Sequence, residues 1–165
     1  MIDQNSTPKY YLDDLSVGMT FESSEHTITE AEIIAFAKQY DPIYFHTDPE
    51  AAKQSEFKGL IASGWNTACI TQQLAVTGFM YQIAGIVSPG IEKMYFLKPV
   101  FPNDTLRVST EITAVTPSKS KPDRGIFNFV HHVYNQHDVA VMTMECMVLA
   151  WRRPSADQSS KTTAH

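Results

Sequence analysis

Residues 59–78 read GLIASGWNTACITQQLAVTG, and this stretch decides how the rest of the chain folds. Between Trp65 and Val76 it contains neither an acidic nor a basic side chain. A helix without charged residues is suited to burial, because a solvated helix normally carries a charged face. The sequence therefore predicts a buried helix that begins at Ser63 or Gly64, runs to about Val76 and is closed by Gly78.

Beyond Gly90 the apolar residues change from helical spacing to alternation, which is typical of β-strands. Four candidate strands cover residues 91–97, 106–114, 126–134 and 139–151, and residues 20–27 predict one short strand ahead of them. Long alternating strands joined by polar turns favour antiparallel pairing. The order of elements predicts an α+β fold in which an antiparallel sheet wraps around the central helix. A lone sheet of this kind leaves apolar surface uncovered, so we expect a homodimer or a higher homo-oligomer.

Ahead of the central helix, the segment HTITEAEIIAFAKQYDP (residues 26–42) has the features of a helix start. Thr29 and Glu32 have the spacing of a capping box, and Ile28 and Ile33 have that of a hydrophobic staple. The apolar spacing predicts a helix from Glu30 to about Tyr40. Pro42 disfavours helical geometry at the residue before it, so the helix is expected to end there.

The segment that follows, YDPIYFHTDPEAA (residues 40–52), places an acid and an imidazole five residues apart. Asp48 as the N-cap and Pro49 as the first helical residue predict the start of a second short helix. Asp41 and His46 therefore flank a connector that we expect to be non-helical. Such a connector can direct both side chains into one pocket.

The composition limits the class of protein. A chain of 165 residues with 43% hydrophobic residues is long enough for one well-packed domain, assigned to residues 10–153. Residues 1–9 are expected to be a flexible segment and residues 154–165 a disordered tail. A net charge of −5 without any basic run argues against partners such as nucleic acid or a membrane surface. Two distant cysteines and the lack of a signal peptide or an apolar membrane span favour a cytoplasmic protein.

Four segments together resemble the MaoC-like dehydratase group, the hydratase-2 branch of the hotdog superfamily. They are residues 26–42 and the stretches FHTDPEAA (45–52), FKGLIASGWNT (57–67) and FLKPVFPNDTL (96–106). The similarity extends over residues 10–152 with the segments in the family's order and spacing. The resemblance implies the hotdog fold.

The family's signature is an Asp, then an Asn-Pro pair, then a His five residues after the Asp. Asp41 and His46 match the acid and the imidazole, whereas Ile43 and Tyr44 stand where the Asn-Pro pair is expected. The His-Gly dipeptide that often begins the family's central helix is Ser63-Gly64 in this chain. The Gly64 N–H belongs to the backbone, so it is still present when serine replaces histidine at the position before it.

The resemblance implies an (R)-specific-type enoyl-CoA hydratase, or in reverse a 3-hydroxyacyl-CoA dehydratase, acting in fatty acid metabolism. Asp41 and His46 would be the acid–base pair, with the carboxylate fixing the tautomer of the imidazole. The N–H of Gly64 would bind the developing enolate oxygen, and glycine would avoid crowding the thioester. The substrate would be a thioester of coenzyme A or of an acyl carrier protein. Coenzyme A would enter only as part of the substrate, without a further cofactor.

Tyr44, Phe45 and Trp65 are the candidates for lining an acyl pocket, and Ser63 is a further candidate for substrate binding; all four lie close in the sequence to Asp41, His46 or Gly64. A metal site is not predicted. The cluster HHVYNQHD suggests one, but His131 and His132 are adjacent in a predicted strand and so point to opposite faces of the sheet.

Two other functions stay open from the sequence. A hotdog thioesterase usually needs a carboxylate on the central helix, and residues 65–76 contain none. A non-catalytic module that binds acyl thioesters or proteins is supported by the absence of the Asn-Pro pair. Release of free thiol from an acyl-CoA would identify the thioesterase, and saturable binding without loss of the enoyl absorbance would identify the binding module.

Overall fold

The computed structural model of the chain describes residues 7–154. The predicted flexible segment (1–9) and tail (154–165) lie largely outside the described residues. A 3₁₀ turn at Leu12–Asp14 comes first. The helices are α1 (Glu30–Tyr40), α2 (Tyr44–Thr47), α3 (Pro49–Ala52) and α4 (Gly64–Gly78), followed by a 3₁₀ turn at Met80–Gln82. The strands are β1 (Thr20–Glu22), β2 (His26–Thr27), β3 (Gly85–Phe96), β4 (Thr105–Pro117), β5 (Arg124–Tyr134) and β6 (Ala140–Trp151).

The strands form one antiparallel sheet in the order β1-β4-β5-β6-β3, with β2 also paired to β4. The predicted strand at residues 20–27 is in fact two short strands. Ser23 causes the break, because its hydroxyl accepts a hydrogen bond from the Val108 N–H at 2.9 Å in place of a backbone carbonyl. The other predicted strands are confirmed.

Helix α4 supplies the centre of the core. Its buried face packs with the inward rows of the long strands in one hydrophobic cluster. The inward residues alternate along β4 and β5, as at Val108, Ile112, Phe127 and Phe129. This arrangement confirms the predicted helix within a curved sheet. None of the described helices is long and apolar enough to cross a membrane.

The ends of α4 differ slightly from the expectation. Ser63 is the N-cap, as predicted, and accepts a hydrogen bond from the Trp65 N–H at 3.2 Å. The helix continues to Gly78, which is its last residue and not the residue beyond its end. Gly78 lies close to another segment, since a Cβ there would come within 3.2 Å of the Ser23 Cα.

Helix α1 follows its sequence signals. The Thr29 hydroxyl accepts from the Glu32 N–H at 3.2 Å and the Glu32 carboxylate accepts from the Thr29 N–H at 2.7 Å, which confirms the capping box. The predicted non-helical connector is wrong in one respect, because residues Tyr44–Thr47 form a single helical turn that includes His46. Pro42 restricts only the residue before it, so the chain is free to turn helical again after Ile43.

Strand β3 lies at one edge of the sheet and pairs only with β6 among the described strands. It starts at Gly85, six residues before the predicted start at Ile91, and it contains Pro89. Proline is tolerated there because an edge strand leaves alternate N–H groups unpaired. Every residue of β3 except Met94 is exposed.

Candidate active site

One hydrogen bond joins the end of α1 to the beginning of α4. Asp41 follows the last residue of α1, and its N–H donates to the Ala37 carbonyl at 2.9 Å. The Ser63 hydroxyl donates to Asp41 Oδ2 at 2.6 Å and accepts from the Trp65 N–H. Ser63 is fully buried, so its hydroxyl both caps α4 and fixes the direction of the Asp41 carboxylate.

The imidazole of His46 is buried and held from the other side. His46 Nδ1 lies 2.7 Å from the Ile61 carbonyl oxygen. A carbonyl oxygen can only accept, so Nδ1 carries the proton and Nε2 presents its lone pair. The tautomer is therefore set by Ile61, and not by the carboxylate as the sequence suggested.

His46 Nε2 faces Asp41 Oδ2 at 3.7 Å. This distance is too long for a direct hydrogen bond, and in this tautomer an ionised Asp41 makes both atoms acceptors. A water molecule has two O–H groups and can donate one to each atom. The pair is thus arranged to orient one water and to remove a proton from it.

His46 and Gly64 share the wall of one cavity of about 390 Å³, which we call the His46 cavity. Three phenylalanines and one lysine also line it: Phe45, Phe57, Phe96 and Lys98. Phe45 contacts the His46 ring edge-on, with the ring centroids 4.5 Å apart. The cavity therefore combines apolar walls with an imidazole, a backbone amide and one positive charge.

Gly64 is the first residue of α4, and its N–H has no hydrogen-bond partner in the described part of the chain. It lies at the positive end of a 15-residue helix, where the backbone dipoles favour a negative ligand. A Cβ on Gly64 would lie 2.6–2.8 Å from three ring atoms of Phe96. The Phe96 ring thus occupies the space that a side chain at position 64 would need.

The structure brings together five of the seven residues selected from the sequence. Asp41, His46 and Gly64 lie around the start of α4, and Phe45 lines the His46 cavity. Ser63 is buried behind Asp41 and is a positioning residue in this geometry. Tyr44 and Trp65 lie outside the described lining of the cavity and are 49% and 57% exposed.

Sequence reasoning missed several groups of this site. The Ile61 carbonyl is a backbone atom and leaves no signal in the sequence. Phe57, Phe96 and Lys98 come from loops and a strand end that are distant from the Asp-to-His segment. Phe57 and Phe96 each begin a segment that carries the family resemblance, and Phe96 also falls in the predicted strand at residues 91–97, but neither pattern assigns them to a pocket.

A second buried histidine lies in the sheet. His131 Nδ1 lies 2.6 Å from the Thr110 hydroxyl, and both residues are almost inaccessible to solvent. Burial, together with the neighbouring His132, lowers the pKa of the His131 imidazole from 6.5 to about 4. His131 is therefore neutral at physiological pH and belongs to the core. His132, its neighbour in β5, is only partly buried.

Comparison with known proteins gives consistent results. The family model for the MaoC like domain matches residues 14–131. The chain is 33% identical over 141 residues to the uncharacterized protein YdeM of Bacillus subtilis, covering 86% of this chain and 99% of YdeM.

Among solved structures, a MaoC-like dehydratase from Rhodospirillum rubrum is 43% identical and superposes with a TM-score of 0.83, covering 88% of this chain and 99% of that chain. The (R)-hydratase from A. caviae involved in PHA biosynthesis is 26% identical with a TM-score of 0.65, covering 85% of this chain and 98% of that chain.

Proposed function

The chain belongs to the MaoC-like domain family, and from that premise we propose that it adds water to 2-enoyl thioesters or removes water from 3-hydroxyacyl thioesters. Its fold is the hotdog fold, and its relatives place it among hydratases and dehydratases. The specific activity proposed is that of an (R)-specific-type enoyl-CoA hydratase. The (R)-hydratase from A. caviae, at 26% identity, supports this assignment.

One observation carries the proposal. His46, whose Nε2 is a proton acceptor, and Gly64, whose N–H has no partner among the described residues, line the same cavity. The Asp41 carboxylate lies 3.7 Å from Nε2. Hydration of an enoyl thioester needs these three functions: a base for water, an acceptor that orients it, and a donor for the thioester oxygen.

In the proposed hydration step, water donates one O–H to His46 Nε2 and the other to Asp41. The water oxygen forms a bond to C3 while its proton passes to Nε2. The electrons of the C2–C3 double bond move toward C1, and negative charge develops on the thioester oxygen. The proton on Nε2 is then delivered to C2, which restores the C=O bond and the neutral imidazole. Dehydration follows the same steps in reverse.

The Gly64 N–H would stabilise the charge that develops on the thioester oxygen. Removing one oxyanion-hole donor typically costs about 2.7–4 kcal/mol of barrier. The general acid–base pair is typically worth about 10²–10⁴-fold in rate. The two contributions are therefore of similar size, and both depend on the start of α4.

The carrier of the acyl group would enter through the His46 cavity. Lys98 lines this cavity and offers a positive charge to an anionic carrier such as coenzyme A. In this proposal coenzyme A takes part only as a portion of the substrate, and the chemistry uses groups of the chain itself.

The unpaired edge of β3 supports a homodimer. Large apolar side chains along this strand are exposed, including Val87, Ile91 and Tyr95. An exposed strand edge with an apolar surface is a template for pairing with another chain. Because Phe96 ends β3 and lines the His46 cavity, a second copy on this edge would also border the cavity.

A panel of 2-enoyl-CoA thioesters of increasing chain length tests the proposed function. We expect loss of the conjugated enoyl absorbance with at least one substrate, and a chiral separation should identify the product as the (R)-3-hydroxyacyl thioester. Free thiol is measured in the same samples. Thiol release without loss of the enoyl would identify a thioesterase and contradict the proposal, as would binding without any reaction across the panel.

A further inference from the structure

A second cavity of about 380 Å³ lies between α1 and α4. We call it the helix groove. Residues from both helices line it, among them Phe36, Gln39, Asn66, Ile70 and Gln73. The proposed chemistry does not use these residues, so the groove needs an explanation of its own.

Asn66 is the unusual residue of the groove. Its side chain is only 6% exposed, yet Oδ1 has no hydrogen-bond partner. Burying an amide oxygen without a partner costs folding free energy, so this atom calls for an explanation such as a bound ligand or water. Since Asn66 lines the groove, a molecule inside the groove is the nearest source of a partner.

The groove ends beside the proposed catalytic groups. Tyr40 lines the groove and immediately precedes Asp41, and the hydrogen bond from Ser63 to Asp41 joins the ends of the two helices. Gly64 and Asn66 are two residues apart in α4 and therefore lie on opposite sides of the helix. Asp41 is therefore near the His46 cavity through His46, at 3.7 Å, and near the helix groove through Tyr40, the residue before it.

We propose that the acyl chain of the substrate passes Asp41 into the helix groove, where Asn66 binds a neutral hydrogen-bonding group such as a hydroxyl. This inference rests on the proposed function, because it places the thioester at Gly64 and the reacting carbons beside His46. The preferred substrates are then 2-enoyl thioesters that carry a hydroxyl group further along the acyl chain.

The distribution of charge favours this orientation. Lys98 lines the His46 cavity, which suits the anionic carrier. The described lining of the groove contains no lysine or arginine, and it includes Glu32, whose carboxylate lies 3.3 Å from His26. A second carboxylate at the end of the acyl chain would be repelled there, whereas a neutral hydroxyl would not.

The chemistry of the lining fits a hydroxylated chain. The amide of Asn66 offers both a donor and an acceptor, and a hydroxyl group can satisfy either one. Phe36 and Ile70 offer apolar surface to the methylene groups that precede the hydroxyl. A site with a buried polar group discriminates strongly against a ligand that leaves this group without a hydrogen bond. An apolar pocket discriminates less strongly against a ligand that carries an extra hydroxyl.

The test compares hydroxylated 2-enoyl-CoA thioesters, in a series of increasing chain length, with unhydroxylated thioesters of equal length. For one hydroxylated member we expect kcat/KM of the unmodified protein to exceed that of its pair by about tenfold, the value of one good hydrogen bond. In Asn66→Leu, which is similar in size and apolar, this preference should disappear. Gln72→Leu, on α4 outside the described groove lining, should keep it.

Binding of the saturated acyl-CoA pairs, measured by calorimetry, separates the two proposals because it needs no turnover. Hydration of unhydroxylated substrates with no preference in either assay would overturn the role of Asn66 and leave the proposed function standing. A preference in binding without any hydration would support the role of Asn66 and contradict the proposed function. If Asn66→Leu does not fold, Asn66→Ala serves the same comparison, and an unchanged preference in it would overturn the inference.

Discussion

His46 presents Nε2 to the Asp41 carboxylate at 3.7 Å while its Nδ1 proton is held by the Ile61 carbonyl at 2.7 Å. The imidazole is thereby fixed in one tautomer by a backbone group that cannot change its protonation state. The lone pair is directed at the position where a water would be held. This relationship makes the acid–base pair directly testable.

Asp41→Asn and His46→Gln should each lower turnover on the best enoyl-CoA by about 10²–10⁴-fold, because an amide can still accept a hydrogen bond but is not basic enough to take a proton from the water. The decrease is measured from the enoyl absorbance, and circular dichroism checks that the fold is retained. His137→Gln is the matched control, because this histidine lies in the exposed turn between β5 and β6. Turnover at the parent rate in either folded site variant would rule out the pair.

Ser63→Ala should lower both stability and turnover. Loss of an N-cap typically costs about 1 kcal/mol, and the Asp41 carboxylate would also lose the donor that directs it. We expect kcat to fall about tenfold, with a smaller change in KM. Thr29→Ala is the control, because it removes the cap of α1 without touching Asp41. If both variants lose stability and activity in the same proportion, Ser63 acts only as a helix cap.

Gly64→Ala should disturb substrate binding through Phe96. The added Cβ would meet the Phe96 ring at 2.6–2.8 Å, so the ring must move within the His46 cavity. The backbone N–H remains, and we therefore expect a several-fold rise in KM with a smaller effect on kcat. In the double variant with Phe96→Ala the ring is gone, and the added effect of Gly64→Ala should shrink. Strictly additive effects would show that the two residues are not coupled.

Stability should depend on pH through His131. Its pKa is about 4 in the folded chain and about 6.5 when unfolded, so the unfolded state binds a proton more readily between these values. The contribution of the neutral His131 to the free energy of unfolding is complete above pH 6.5. It is lost as the pH falls toward 4, and the total loss is about 3 kcal/mol.

Urea unfolding of the parent and of His131→Gln over this pH range measures the effect, since glutamine can still form a hydrogen bond with Thr110. The parent should lose more stability than the variant as the pH falls. Groups far from position 131 contribute equally to both proteins, so their contribution cancels in the difference. A constant difference between the two proteins across the range would contradict the assignment.

Ile91→Lys should separate the proposed homodimer, because it places a charge on the exposed apolar face of β3. Sedimentation or light scattering would show a fall in mass from two chains to one, and activity should fall if the second copy borders the His46 cavity. Val139→Lys is the control, because it introduces the same charge at an exposed residue in the turn before β6, away from the edge of β3. A parent protein that is already monomeric at micromolar concentration would end the dimer proposal.

The sequence predicted those features that depend on local interactions. The bounds of α1 follow from Thr29, Glu32 and Pro42, and the start of α4 follows from Ser63, all of which act on residues within four positions. The long strands were predicted for the same reason, since alternation is a local pattern. The place where β3 begins was missed, because Pro89 argues against a strand unless that strand is known to be at an edge.

The site was predictable only as far as its residues lie near one another in the chain. Asp41 and His46 share one segment, so the sequence could pair them. The Ile61 carbonyl that sets the tautomer and the Phe96 ring that lies against Gly64 depend on how distant segments fold together. The buried Asn66 Oδ1 without a partner likewise became visible only when its surroundings were known.

The double use of the Ser63 hydroxyl limits how this protein can be made more heat-resistant. Aspartate is among the best residues for beginning a helix, and Ser63→Asp would be an ordinary choice in a thermostabilisation programme. Here it would set a second negative group against the Asp41 carboxylate, where a hydroxyl now donates at 2.6 Å. The two carboxyl groups would repel each other when both are ionised, and they would compete for one proton. Engineering for robustness is better directed to the other helix starts.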